Sequence, residues 1–254
     1  MMLLVDMGNS SIKWAIFDQD GLGSQERLSY QSDNLNNLLT QAWQMLNIPS
    51  GVWVSNVAGS QKAEILSHWV KFHWGLKPTF LKTARGECGI KNGYQNPEQL
   101  GVDRWLALIG AYQLETGPLC VVDCGTAVTL DVLSADGYHQ GGLILPGVTT
   151  MYNALKMDTY ALEPHLTGFE NLSGVVEKLF LAHDTQMGIT LGTLYAIMGL
   201  LEYVINTLEK SGKKVILILT GGSAYALEPL LQRPYLLRPD LVLQGLSTVV
   251  KQSL

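Results

Sequence analysis

The chain has 254 residues, 47% apolar and 15% charged, a balance that excludes a disordered segment and allows one large or two modest domains. Its net charge of −5 argues against general affinity for nucleic acid. Three cysteines, Cys88, Cys120 and Cys124, make neither an even disulfide set nor a metal knuckle, so a reduced, cytoplasmic setting is expected.

The first residues lack a basic n-region and a long apolar stretch, so no signal peptide is expected. The apolar run Leu3-Leu4-Val5 leads into Asp6-Met7-Gly8-Asn9-Ser10-Ser11-Ile12-Lys13. This pattern predicts a buried strand ending in an Asp, a tight glycine turn and a second strand through Phe17. A third strand is expected near Glu26–Tyr30. A helix over Asn34–Leu46 has Leu35, Leu38, Leu39, Ala42 and Leu46 on one face, with Asp33 as its cap. Strand Val52–Ser55, helix Gln61–His73 and short strand Thr79–Leu81 follow. Lys82 to Pro97 reads as an irregular loop carrying Tyr94, of a length that is often functional. It opens onto a helix to about Tyr112, with Asp103 and Arg104 near its N-terminus, where anions are favoured. Asp is also an ordinary first-turn residue, and Arg104 an ordinary surface cation.

The second half repeats the opening. Leu119-Cys120-Val121-Val122 leads into Asp123-Cys124-Gly125-Thr126-Ala127-Val128-Thr129, again strand, Asp, glycine turn and strand. Strand Gly141–Leu145 ends at Pro146-Gly147, and a helix follows through Met157. Asp158 to Gly168 reads as a loop, and Asn171 to Lys210 as a helical region broken near His183-Asp184. Its uncharged stretch Thr185–Leu201 is short for a membrane span of about 20 residues and is expected to be a buried helix. Gly188, Gly192 and Ala196 would let another helix come close, in the core or in a second subunit. Strand Val215–Leu219, the turn Thr220-Gly221-Gly222 and an amphipathic helix Leu241–Val250 complete the chain. The shared order predicts two related α/β domains, 1–114 and 115–254, with the ligand in a cleft between them.

The residue types point to phosphate. Gly8 and Gly125 lack a Cβ, so backbone can turn sharply and approach a ligand. Backbone N–H groups with Asn9, Ser10, Ser11 or Thr126 can surround phosphate oxygens, and Lys13 adds a point charge. A strand-end Asp can hold a hydrated Mg²⁺. These are also favoured turn residues, so one such loop says little; two in matching order point to a bound nucleotide. Neither a Walker A loop nor a dinucleotide fingerprint is present. The spacing of His68 and His73 does not make a metal site with Cys88. The six tryptophans are expected to pack the core and rim, with Trp105 bordering the cleft. Cys124 reads as a small buried filler rather than a nucleophile.

Asp6–Lys13, Gly101-Val102-Asp103-Arg104, Asp123-Cys124-Gly125-Thr126-Ala127 and Gly141-Gly142-Leu143-Ile144-Leu145-Pro146-Gly147 together resemble the motifs of bacterial type III pantothenate kinases, in order and approximate spacing. Tyr94, Asp184-Thr185 and Thr220-Gly221-Gly222 fit the same pattern, and the resemblance covers essentially the whole chain. It implies the acetate and sugar kinase/Hsp70/actin fold: two ribonuclease-H-like (actin-like) domains, each a mixed sheet flanked by helices. It further implies a homodimer that uses ATP, Mg²⁺ and K⁺ or NH₄⁺ to phosphorylate the terminal hydroxyl of pantothenate, the first step of coenzyme A synthesis. By the resemblance, Asp6, Met7, Gly8, Asn9, Ser10, Ser11, Ile12 and Lys13 form the ATP phosphate loop, with Asp6 near Mg²⁺ and Thr126 touching ATP. Asp103 is the general base. Tyr94, Gly101, Val102 and Arg104 line the pantothenate pocket with Thr185, the last from the partner subunit, and Asp123 holds the monovalent cation. Three positions depart from the family: Ser10 replaces Thr, Val102 a smaller residue, and Asp184 an Asn. The alternatives are a kinase of another small hydroxylated substrate and an ATP-binding transcription accessory protein. A regulator could lose Asp103 or Lys13, and this chain keeps both. No membrane or nucleic-acid partner is expected.

Overall fold

The structure, a computed structural model, describes residues 1–30, 34–158, 180–210, 212 and 214–253. In chain order its elements are β1 (Met2–Met7), β2 (Ser11–Asp18), β3 (Gly21–Leu22), β4 (Glu26–Ser29), α1 (Leu35–Trp43), β5 (Val52–Asn56), α2 (Ser60–Trp74), β6 (Thr79–Phe80), β7 (Gly86–Glu87), β8 (Ile90–Lys91) and α3 (Val102–Leu114). There follow β9 (Leu119–Cys124), β10 (Ala127–Leu133), β11 (His139–Pro146), α4 (Val148–Asp158), α5 (Thr185–Glu209), β12 (Ile216–Thr220), β13 (Tyr235–Leu237) and α6 (Leu241–Ser253). The expected Asp33 cap, the loop over 159–168 and the helix start at Asn171 lie outside the described residues; Asn34 caps α1, its side chain accepting from Asn36 N–H at 3.0 Å.

Two compact units form. The first comprises 1–114, 137–139 and 240–254, the second 115–136 and 140–239. In the first, the sheet runs β3-β2-β1-β5-β6, with β4 also on β2. Strand β1 is antiparallel to β2 and parallel to β5, so both its edges are paired. Alternation sends Leu3, Val5, Met7, Ile12 and Trp14 to one face, where they form a core with Leu39 and Trp43 of α1 and Leu66, Trp69 and Val70 of α2. Four of the tryptophans cluster here: Trp43 meets Trp14 and Trp69 edge-on and stacks on Trp74.

Helices α3 and α6 lie together in this unit and pack against β1 and β5. The closing helix, expected in the second domain, therefore belongs structurally with the first. Two glycines explain the pairing. A Cβ on Gly245 would overlap the Leu106 carbonyl, and one on Gly110 would stand 2.5 Å from the Leu241 carbonyl oxygen. Backbone meets backbone, as tight helix pairs with small residues allow.

Residues 82–97 are not wholly irregular. β7 and β8 form a small antiparallel hairpin whose turn holds Cys88 at φ 51° and Gly89 at φ 86°. A cysteine in the left-handed region is uncommon, which is why the turn escapes a reading by residue type.

In the second unit the sheet runs β11-β10-β9-β12-β13. β9 is antiparallel to β10 and parallel to β12, so the sheet repeats the β2-β1-β5-β6 plan of the first. Cys120, Val122, Leu130, Leu217 and Leu219 form its core with Leu194, Ile197, Leu201 and Ile205 of α5. Helix α5 is long and apolar enough to cross a membrane by composition alone, but it spends its apolar face on this core. The helix expected to be buried is thus half-buried, leaving Gly188, Gly192, Ala196, Gly199 and Tyr203 exposed.

Overpacking of a fitted contact costs about 1–3 kcal/mol, and here the obstruction is backbone. Gly245→Ala is expected to lower stability by about 3 kcal/mol in urea unfolding. An unchanged midpoint would contradict the close α3–α6 contact.

Candidate active site

In the first unit the β1–β2 turn is closed by Gly8 N–H donating to the Ser11 carbonyl at 3.0 Å. A Cβ on Gly8 would stand 3.3 Å from that oxygen. Asn9 and Ser10 at the tip are exposed, and Gly8 and Lys13 partly so. Met7 and Ile12 are fully buried in the core, so of the expected phosphate-loop residues these two can offer a ligand only backbone. Asp6, at the end of β1, is 6% exposed and accepts a hydrogen bond from Ser55 Oγ at 3.0 Å. Lys13 lies directly across from Asp6 in the β1–β2 register, which puts an acid and a cation on the same face of the hairpin. The Ser10 carbonyl accepts from Tyr30 N–H at 3.1 Å, tying the turn to the end of β4. Burial, reinforced by the charge of Asp6, holds the Tyr30 phenol well above its usual pKa.

The start of α3 carries a second cluster in the same unit. Asp103 Oδ1 accepts the Arg104 backbone N–H at 2.8 Å, so the carboxylate sits at the helix N-terminus, where negative charge is favoured. Gly101 leaves it room, since a Cβ there would stand 2.6 Å from Asp103 Oδ1. Arg104 does not face solvent. It is 7% exposed, donates from Nη1 to the Tyr94 hydroxyl at 3.1 Å, and its guanidinium carbon lies 5.7 Å from the Tyr94 ring centroid. The structure thus joins Tyr94, Gly101, Asp103 and Arg104, while the Val102 side chain is buried. It also adds a residue the sequence did not offer. Asn92 accepts Tyr94 N–H at 2.9 Å and donates to the Ala84 and Pro97 carbonyls. The loop reading of Lys82 to Pro97 carried no signal for this bracing role. Trp105 is fully buried and donates to Glu87, so it packs rather than borders a ligand site.

In the second unit the β9–β10 turn repeats the first, with Gly125 N–H donating to the Ala127 carbonyl at 3.0 Å. The Thr126 carbonyl accepts from Gly147 N–H and Thr150 Oγ1, and the Cys124 carbonyl from Ser223 N–H. A Cβ on Gly147 would strike the Gly125 and Thr126 carbonyls, and one on Gly221 would strike Asp123 and the Cys124 nitrogen. The glycines of Pro146-Gly147 and Thr220-Gly221 are therefore consumed in walling the Asp123–Thr126 turn. Thr126 remains exposed and Asp123 partly exposed. Thr185 is the exposed first residue of α5, and Asp184 is its cap, accepting Met187 N–H at 2.8 Å. The charge that departs from the family pattern at 184 is thus engaged with its own helix.

Among the described residues no group of three or more His, Cys, Asp or Glu side chains could by itself hold a metal ion; His73 stacks on Trp69 with ring centroids 4.3 Å apart.

Both sheets carry an Asp-Gly hairpin on a central, doubly paired strand. The fold is that of the acetate and sugar kinase/Hsp70/actin proteins, and solved structures share it. A conserved putative Baf family transcriptional activator from Campylobacter jejuni superposes with a TM-score of 0.59 at 21% identity, over 99% of this chain and 98% of that one. A putative 2-dehydro-3-deoxygalactonokinase from Sinorhizobium meliloti gives 0.58 at 17% identity, over 100% and 99%. The type III pantothenate kinase family model matches residues 2–207. A type III pantothenate kinase from Nitrosococcus oceani is 38% identical over 100% of this chain and 95% of its own length; one from Burkholderia thailandensis is 36% identical over 97% and 96%. The chain belongs to the type III pantothenate kinase family.

Burial pushes the Cys120 thiol up to about 12 and that of Cys124 higher, with Asp123 adding to the shift. Both therefore stay protonated at neutral pH, and the thiolate is the reactive form. At pH 8 a thiol reagent should modify these two far more slowly in the native protein than in the urea-unfolded chain; equal rates would contradict the buried-filler role of Cys124. Asp184→Ala should cost about 1 kcal/mol by loss of the α5 cap, read as a lower unfolding midpoint.

Proposed function

We propose that this chain transfers the γ-phosphoryl group of ATP to the terminal hydroxyl of pantothenate, giving 4′-phosphopantothenate and ADP, the first step of coenzyme A synthesis. The observation that carries the reading is the cluster of Asp103, Arg104 and Tyr94 at the start of α3, in a chain that aligns over its whole length with a relative of this family.

Phosphoryl transfer asks a protein mainly for positioning and charge neutralisation. Asp103 serves as general base. Aspartate carboxylates are ordinarily ionised at neutral pH, so it needs only hydrogen-bond reach of the hydroxyl. As the hydroxyl oxygen bonds to the γ-phosphorus and the bond to ADP breaks, the hydroxyl proton passes to Asp103 and then to water. Arg104, steadied by the Tyr94 hydroxyl, holds pantothenate together with Gly101 and with Thr185 of the partner subunit. The turn that Gly8 closes presents the side chains of Asn9 and Ser10 and the charge of Lys13 to the ATP phosphates, and Thr126 touches ATP.

A divalent ion fits Asp6. Mg²⁺ retains most of its waters and binds through one or two carboxylates plus phosphate, and Asp6 is a single strand-end carboxylate already braced by Ser55. When bound, Mg²⁺ supplies charge neutralisation to the triphosphate. Asp123 is assigned the monovalent cation, K⁺ or NH₄⁺. The protein acts in the cytoplasm as a homodimer. The exposed face of α5 with Gly188, Gly192 and Ala196 suits a close two-fold helix contact, and Thr185 begins that helix.

Asp103→Asn is expected to lower pantothenate-dependent ADP release by about 10²–10⁴-fold, the usual contribution of a general base, with unchanged circular dichroism. Near-full turnover would overturn the assignment. Replacing K⁺ by Na⁺ should also lower turnover; equal rates in both salts would remove the monovalent-cation role of Asp123.

A further inference from the structure

We infer that His139 is a positioning residue for the pantothenate pocket: it fixes the Tyr94 ring that in turn fixes Arg104. The inference rests on the roles proposed above for Tyr94 and Arg104, and extends them to a residue 45 positions away in sequence.

His139 is fully buried. Its imidazole stacks on the Tyr94 ring with centroids 5.6 Å apart and planes 20° from parallel. The segment that carries it is anchored in the first unit: Lys91 N–H donates to the Gly137 carbonyl at 2.8 Å, and Tyr138 forms a parallel bridge with Lys91. Gly137 and Tyr138 therefore lie alongside β8, directly before His139 opens β11. Gly93 completes the fit, because a Cβ there would overlap the His139 carbonyl. Any larger residue at 93 would push Tyr94 and His139 apart.

Tyr94 is thus held at three points: its N–H by Asn92, its hydroxyl by Arg104 and its ring by His139. The first fixes only the backbone. The second holds the ring only at its tip, through the hydroxyl. That leaves the imidazole plane to select the ring's rotamer. Arg104 carries a long flexible stem, and its directed hydrogen bond and ring contact are only as well placed as the ring itself. Without a flat partner, Tyr94 regains side-chain freedom, and pantothenate must restore that order on binding. Tyr94 and Arg104 are assigned to pantothenate and not to ATP, so ATP binding should be indifferent.

The test compares His139→Leu, which fills volume without a flat ring, with His139→Phe, which restores the plane. With saturating ATP, His139→Leu should raise the KM for pantothenate by about ten-fold, with the KM for ATP unchanged and kcat within about three-fold of wild type. His139→Phe should restore the pantothenate KM. In a double-mutant cycle, His139→Leu should add little to Tyr94→Leu, because the first acts through the second. If His139→Leu does not fold, His139→Gln carries the same comparison. An unchanged pantothenate KM, an equal rise in both KM values, or full additivity with Tyr94→Leu overturns the inference while leaving the kinase reading intact. Absence of pantothenate-dependent turnover in the wild-type protein overturns the kinase reading itself, and the inference with it.

Discussion

Each sheet is built on a strand paired along both edges whose next-to-last residue is acidic, and just beyond it a glycine lets the chain reverse. In β1 the acid is Asp6 and the closing bond runs from Gly8 N–H to Ser11; in β9 the acid is Asp123 and the bond runs from Gly125 N–H to Ala127. Double pairing makes the strand rigid, and the abrupt turn puts carboxylate, amide and hydroxyl groups at its tip. The rest of each unit keeps that arrangement in place. In the second unit Gly147 and Gly221 press backbone against the Asp123–Thr126 turn at positions where any side chain would collide. In the first, Ser55 from the neighbouring parallel strand holds Asp6.

The same economy of small residues shapes the packing of the first unit. Gly110 and Gly245 let α3 and α6 touch through their backbones. Helix α3 is also the element whose N-terminus presents Asp103 and Arg104. The contact that makes the closing helix part of this unit therefore seats the helix that carries the proposed base. A buried arginine must find partners to offset lost hydration, and Arg104 finds one of them in Tyr94. That need for a partner, rather than surface position, accounts for the orientation of the guanidinium.

Features set by near neighbours in sequence were legible beforehand. The two Asp-Gly hairpins, the amphipathic α1 and the helix start at Asp103 each follow from periodicity and turn chemistry within a few residues, and the repetition of the hairpins signalled two related sheets. What depended on distant contacts was not legible. The stack of His139 on Tyr94 joins residues with no shared pattern. The placement of α6 turns on backbone proximity at Gly245, within a helix that reads in sequence only as amphipathic. The β7–β8 turn uses a cysteine at positive φ, against residue preference. At the candidate site, motif matching marked a continuous run from Asp6 to Lys13, but strand alternation turns Met7 and Ile12 into the core. Asp184, which departs from the family's Asn beside Thr185, is a helix cap.

The most direct test of the account is to follow the fate of the phosphoryl group. The purified protein would be incubated with ATP, Mg²⁺, K⁺ and pantothenate, with ADP measured by a coupled assay and the phosphorylated product by phosphorus NMR. The account predicts that ADP forms only when pantothenate is present, one for each new phosphomonoester on its terminal hydroxyl. ADP release indifferent to pantothenate, or none at all from a folded protein that binds ATP, would contradict it.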